Sequence, residues 1–209
     1  MRKRNLVFLI LGVTSVALVI AYFVFIRMFY VPVGSMSNTV IPGDSVVGFR
    51  SLGGSVKRGQ VIVSQYPDDS TYYLHRVVGL PGETIEFRER TVYINGQPLA
   101  EQKVLVKTQN YTRPLKELST QGSGPYRVFY EENADQTPPE NAMFGTHMPY
   151  KIPAGNYFVM GDNRDDSLDS RYRGPVPAQL VWGTVSLIYF STDPETGEMR
   201  WGRVLKRVN

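Results

Sequence analysis

Residues 72–83 read YYLHRVVGLPGE, and the reading of the fold begins there. In an extended chain, side chains alternate between two faces, which sets Tyr73, His75 and Val77 on one side and Leu74, Arg76 and Val78 on the other. The segment is rich in aromatic and β-branched residues, as strands are, and Leu80-Pro81-Gly82 then turns the chain. Working outward, Asp44–Phe49, Gln60–Gln65, Thr84–Phe87 and Thr91–Ile94 have the same character. Asn95-Gly96 between VYI and QPL is a two-residue hairpin signal, because both central residues of such a turn need positive φ. Gly155–Met160, Leu180–Ser191 and Met199–Val208 read as further strands that complete the core. The sequence thus predicts a mainly β protein, with no long helix in its soluble part.

Residues 100–152 differ. QGSGP at 121–125 and QTPPE at 136–140 are polar and rich in Gly and Pro, which suggests a β-ribbon excursion inserted between two halves of one core, residues 27–99 and 153–209.

The N-terminal end has another composition. Leu6–Ile26 holds 21 residues without a charge, and a helix of that length spans about 30 Å, a bilayer core. A cleaved secretory signal would have a shorter apolar core ending in small residues, whereas this run closes on Tyr22, Phe23, Phe25 and Ile26. The reading is a permanent single-pass anchor in the plasma (inner) membrane. Residues 1–5, with Arg2, Lys3 and Arg4, stay in the cytoplasm and the rest lies outside, against the lipid bilayer. Beyond Ile26 there are 20 basic and 19 acidic residues, too even a balance for a nucleic-acid surface. The absence of cysteine excludes disulfides, thiolate metal sites and a cysteine nucleophile.

Three segments hold chemistry-bearing residues. In VPVGSM at 31–36, Ser35 reads as a turn residue or a nucleophile. His75 reads as a packed core histidine or a base; the other histidine, His147, falls in the Gly/Pro-rich excursion as a surface residue. GDNRDDSLDSRYRG at 161–174 reads as a solvated loop, a calcium loop lacking EF-hand spacing, or a buried charge network.

Together these segments resemble the type I signal peptidase family. VPVGSMSNTVIPGD is similar to its nucleophile segment, YYLHRVVGLPGE to its general-base segment, and GDNRDDSLDSRYRG to its late structural segment, in matching order. The resemblance implies a core of coiled antiparallel sheets with 100–152 as the variable part. It implies Ser35 as nucleophile and His75 as general base, the latter where bacterial members usually carry lysine and the eukaryotic and archaeal branch carries histidine. It places Asp169 where an acid would orient His75, and Asp162, Arg164, Ser167 and Arg171 at supporting positions. No cofactor or metal is implied. The substrate would be a signal-peptide-bearing preprotein, lying extended against Tyr30–Ser35 and Tyr72–His75. Val31, Val33, Met36 and Tyr73 would line its shallow pockets.

Three departures accompany the resemblance. Histidine is mostly neutral at pH 7 without help, unlike lysine, so it is a competent base but a shorter one. Val33 stands where many members have a hydroxyl that assists the oxyanion, and valine cannot donate. Ser37-Asn38 precedes Thr39 where a proline is usual. A specialised maturation peptidase of the same fold and a weakly active or non-catalytic membrane-anchored paralogue are the alternative readings.

Overall fold

A computed structural model describes residues 2–51, 56–107, 114–134 and 142–208. Helix α1 covers Arg2–Phe25 and passes directly into strand β1, Ile26–Tyr30. Side chains at 2–6, 9, 17, 18 and 20–23 lie outside the description, and the expected span over 6–26 falls partly on them. Among the described residues no helix is long and apolar enough to cross a membrane.

The strands that follow are β2 (Asp44–Arg50), β3 (Val61–Tyr66), β4 (Asp69–Gly79), β5 (Thr84–Arg88), β6 (Thr91–Ile94) and β7 (Gln97–Pro98). Next come β8 (Gln102–Lys107), β9 (Lys116–Gln121), β10 (Arg127–Glu131), β11 (Tyr150–Lys151) and β12 (Asn156–Met160). A one-turn helix α2 (Ser170–Arg173) precedes β13 (Val176–Pro177), β14 (Val181–Ser191) and β15 (Lys206–Arg207). Eight strands form the main sheet in the order β1-β2-β14-β3-β4-β12-β13, with β15 alongside β14. Its pairs are antiparallel throughout.

Alternation along the strands builds a core on both faces. Val61 and Val63 pack on one side with Val46, Val185 and Ile188, joined by Val31, Met36 and Val40 from the loop after β1. Ile62, between them, packs on the other side with Tyr66, Val77 and Val159. The β4 alternation expected from sequence is therefore observed: His75 pairs across from Ile62 and shares its face with Val77, while Arg76 pairs with Val61.

The Asn-Gly hairpin is also observed. Ile94 pairs with Gln97, and Asn95 and Gly96 have φ of 51° and 79°. It belongs to a four-stranded sheet, β11-β5-β6-β7.

Two details differ from expectation. The excursion is more ordered than a ribbon: its described part forms a three-stranded sheet, β10-β8-β9, in which β10 and β8 run parallel. Val104, Val106, Leu115 and Phe129 give it an apolar cluster of its own, a β-branched alternation that its polar flanks obscure. Met199–Val208 is not a strand throughout but a short 3-10 turn at Trp201–Arg203 followed by β15.

Candidate active site

The late segment, residues 161–174, leaves the end of β12 and wraps around β4 and the loop bearing Ser35. Its first contacts fix that loop by the main chain. The Asn163 N–H donates to the Ser35 carbonyl at 3.0 Å, and its side-chain amide donates to the Gly34 carbonyl at 3.1 Å. The Asp162 N–H reaches the Met36 sulfur at 3.3 Å. A loop held at three successive residues, two through backbone carbonyls and one through the Met36 side chain, keeps one conformation.

Asp162 is the hub beneath it. Its carboxylate accepts two hydrogen bonds from Arg76, at 2.7 and 2.6 Å, and one from the Thr39 hydroxyl at 2.6 Å. Arg76 and Asp162 are both closed to solvent, so each charge depends on the other. The sequence contained the signal for Arg76: a charge at a core-facing position of an apolar strand demands a buried partner.

His75, the residue before Arg76, points to the opposite face. It is only 1% exposed. β12 pairs Val159 with Val77 and Met160 with Arg76, and the Gly161 N–H that follows donates to Asp169, whose charge acts on His75. The Ser35 loop packs tightly on Gly161: a Cβ there would collide with the Ser35 carbonyl oxygen and with the Ser167 hydroxyl. Glycine is thus required by space at this position. Gly161 therefore joins the Ser35 loop to Ser167, with Ser35 half-buried, and its hydrogen bond to Asp169 links this junction to the surroundings of His75.

The electrostatics of His75 follow from this burial. Desolvation pushes the imidazole down to about 4, against the pull of the nearby Asp169 charge, with Arg171 opposing protonation and Asp162 favouring it. The ring is therefore neutral at physiological pH.

Asp169 does not make the hydrogen bond expected of an orienting acid. Its carboxylate accepts from Arg171 twice, at 2.9 Å each, from the Gly161 N–H at 2.9 Å, and from the Arg171 N–H as the N-cap of α2. Burial alone would raise its pKa; the charge and hydrogen bonds of Arg171 overcome that and hold it below the usual carboxylate range. Nδ1 of His75 is buried without a hydrogen-bond partner, as is the Ser167 hydroxyl. Asp169 therefore reaches the imidazole through its field.

Arg164 is fully buried and ties the site to the excursion. It binds Glu101 through both terminal nitrogens, one of them at 3.0 Å, and sits 3.3 Å from the Tyr130 hydroxyl. Phe129 and the late segment exchange main-chain bonds: the Phe129 N–H donates to Asp162 and the Arg164 N–H to Phe129. On the other flank, the Asn38 amide clamps the Leu115 backbone at 2.5 and 3.1 Å. Glu101, Leu115 and Asn38 carried no recognisable signal, since their partners are distant in sequence.

Of the residues expected to line substrate pockets, Val33 is 57% exposed, whereas Val31 and Met36 are buried in the core beneath the loop. Tyr73 is half-buried and packs against His75.

Comparison with known proteins identifies the family. Residues 3–190 match the family described as signal peptidase, peptidase S26. The chain is 30% identical to a signal peptidase I of Bacillus amyloliquefaciens over 179 residues, covering 84% of this chain and 79% of that one. It is 28% identical to a signal peptidase I of Bacillus licheniformis over 194 residues, covering 90% and 91%. It is 34% identical to a signal peptidase I of Pseudomonas fluorescens over 194 residues, covering 79% and 65%. With a family match over most of its length and the three segments joined at Asp162, this chain belongs to the S26 signal peptidases.

Proposed function

We propose that the chain is a membrane-anchored serine endopeptidase that removes signal peptides from exported preproteins, with Ser35 as nucleophile and His75 as general base. The observation that carries this reading is the grip of the late segment on both other segments: the Asn163 N–H holds the Ser35 carbonyl, and Asp162 holds Arg76, next to the neutral, buried His75.

In this mechanism the scissile carbonyl lies against the Ser35 hydroxyl. His75 takes the hydroxyl proton as the Ser35 oxygen bonds to carbon, then gives it to the departing amine nitrogen as the C–N bond breaks. Water attacks the acyl-enzyme by the same route and releases the signal peptide. Burial keeps the imidazole unprotonated between turnovers, and the negative charge of Asp169 offsets part of the cost when the proton arrives. Val33 offers no donor, so the oxyanion depends on main-chain N–H groups such as that of Ser35. Anchoring through Leu6–Ile26 holds this chemistry at the outer surface of the plasma membrane, where a precursor's apolar segment ends.

The test is cleavage of a preprotein by the purified full chain in detergent, with the new N-terminus identified by mass spectrometry. Ser35→Ala and His75→Ala are expected to be inactive. A fully active Ser35→Ala variant would remove the serine mechanism, and a fully active His75→Ala variant would remove the base assignment.

A further inference from the structure

What orients the imidazole is left open by its hydrogen bonds, because Nδ1 has none and Asp169 is committed to Arg171 and Gly161. Ring contacts supply the constraint. Tyr73 lies parallel to His75, with 5° between planes and 6.0 Å between centroids, and Tyr66 meets it edge-on at 69° and 6.4 Å. These two tyrosines contact each other at 5.6 Å. Both lie beneath one cation: the Arg173 guanidinium is 4.2 Å from the Tyr66 ring centre and 5.2 Å from that of Tyr73. Arg173 is itself fixed by ion pairs to Asp68 at 2.9 Å and Asp69 at 3.3 Å, and Asp69 accepts the Tyr73 hydroxyl at 2.5 Å.

We propose that Arg173 is a positioning residue for the general base, acting through Tyr66 and Tyr73, the two rings that wall the His75 imidazole. The late segment then grips β4 from both faces. Asp162 near its start holds Arg76 on one side, and Arg173 at its end holds the tyrosines that hold His75 on the other. A planar guanidinium suits this role because it stacks on two rings while its nitrogens stay paired with two carboxylates. The inference rests on His75 being the base, and Arg173 touches neither nucleophile nor substrate in this scheme.

The experiment compares wild type, Arg173→Gln and Arg173→Lys as full chains in detergent. The readouts are kcat and KM on a preprotein, the acid limb of kcat, and the His75 Hε1 proton resonance, whose position reports the current of the adjoining Tyr73 ring. Arg173→Gln is expected to lower kcat about tenfold with KM within about twofold, because the base is loosened and not the substrate site. It should also move the His75 resonance and shift the acid limb upward. The charges around the ring are Asp162, Asp169, Arg171 and Arg173, and removing the last makes protonation easier. Arg173→Lys keeps the charge but not the flat face, so it should restore the acid limb and only part of kcat. An Arg173→Gln enzyme with wild-type kcat and an unmoved His75 resonance overturns the proposal, as does one in which KM alone rises. Should Arg173→Gln fail to fold, Asp69→Asn, which loosens the Tyr73 anchor, carries the same expectations for kcat, KM and the His75 resonance. A fully active His75→Gln enzyme would remove the base assignment, while the resonance shift in Arg173→Gln would still decide whether the clamp exists.

Discussion

The burial of His75 makes stability depend on pH in a way that can be worked out in advance. In the unfolded chain the imidazole titrates near about 6.5; in the folded protein it is pushed down to about 4. Between those values the unfolded state binds a proton that the folded state refuses, so acidification favours unfolding. The contribution is negligible above the unfolded value and grows as pH falls. Going from pH 7.5 to pH 5.0 it removes about 2 kcal/mol, and the full loss, reached below the folded value, is about 3 kcal/mol. The assay is reversible urea unfolding of the detergent-solubilised chain at both pH values, for wild type and for His75→Gln. Carboxylates and other groups act on both proteins alike, so the difference between their pH responses isolates position 75. Wild type should lose about 2 kcal/mol more than the variant over this interval. With only two histidines in the chain, His147→Gln leaves a single imidazole whose titration can be followed by NMR. Equal pH responses in the two proteins, or a folded-state midpoint near 6.5, would refute the reasoning. The same burial places the acid limb of kcat/KM near the folded-state value, below the range of an exposed histidine.

Asp162→Asn should destabilise the protein by about 3–5 kcal/mol, since it leaves the Arg76 charge buried without its counter-charge, and urea midpoints will measure this. Gly161→Ala inserts a methyl group against the Ser35 carbonyl and the Ser167 hydroxyl. A displacement of about 1 Å at the nucleophile should lower kcat about 10²-fold, and full activity would mean the contact is soft. Val33→Ser places a hydroxyl two residues before the nucleophile on an exposed loop; if it reaches the oxyanion, kcat rises about tenfold or more, as single-turnover rates would show.

The sheet was legible in the sequence wherever local periodicity carried the information. The alternation across His75 and Arg76 predicted two faces, and the structure uses both, as it uses the positive φ of Asn95 and Gly96. The excursion was harder to read because the alternating Val104 and Val106 are flanked by polar sequence, and β10 pairs in parallel with β8, skipping the strand immediately before it. At the site, the three segments were evident as residue types, but their couplings were not. Arg76 with Asp162, Arg164 with Glu101 and Asn38 with Leu115 span from 63 to 86 positions, and no spacing rule links such distances. Asp169 was legible as an acid near the base, yet its commitment to Arg171, two residues away, depends on the cap of a one-turn helix that forms only when the segment folds against β12.

The adjacency of His75 and Arg76 on opposite faces of one strand has an evolutionary corollary. Replacing the base by another residue at position 75 alters one side chain and leaves the strand in place. Deleting or inserting a single residue in β4 would turn the base toward the Asp162 side and the guanidinium toward the tyrosines, disabling both at once. Under the proposed mechanism, the side chain at position 75 can be exchanged without moving the strand, whereas the number of residues around it cannot change.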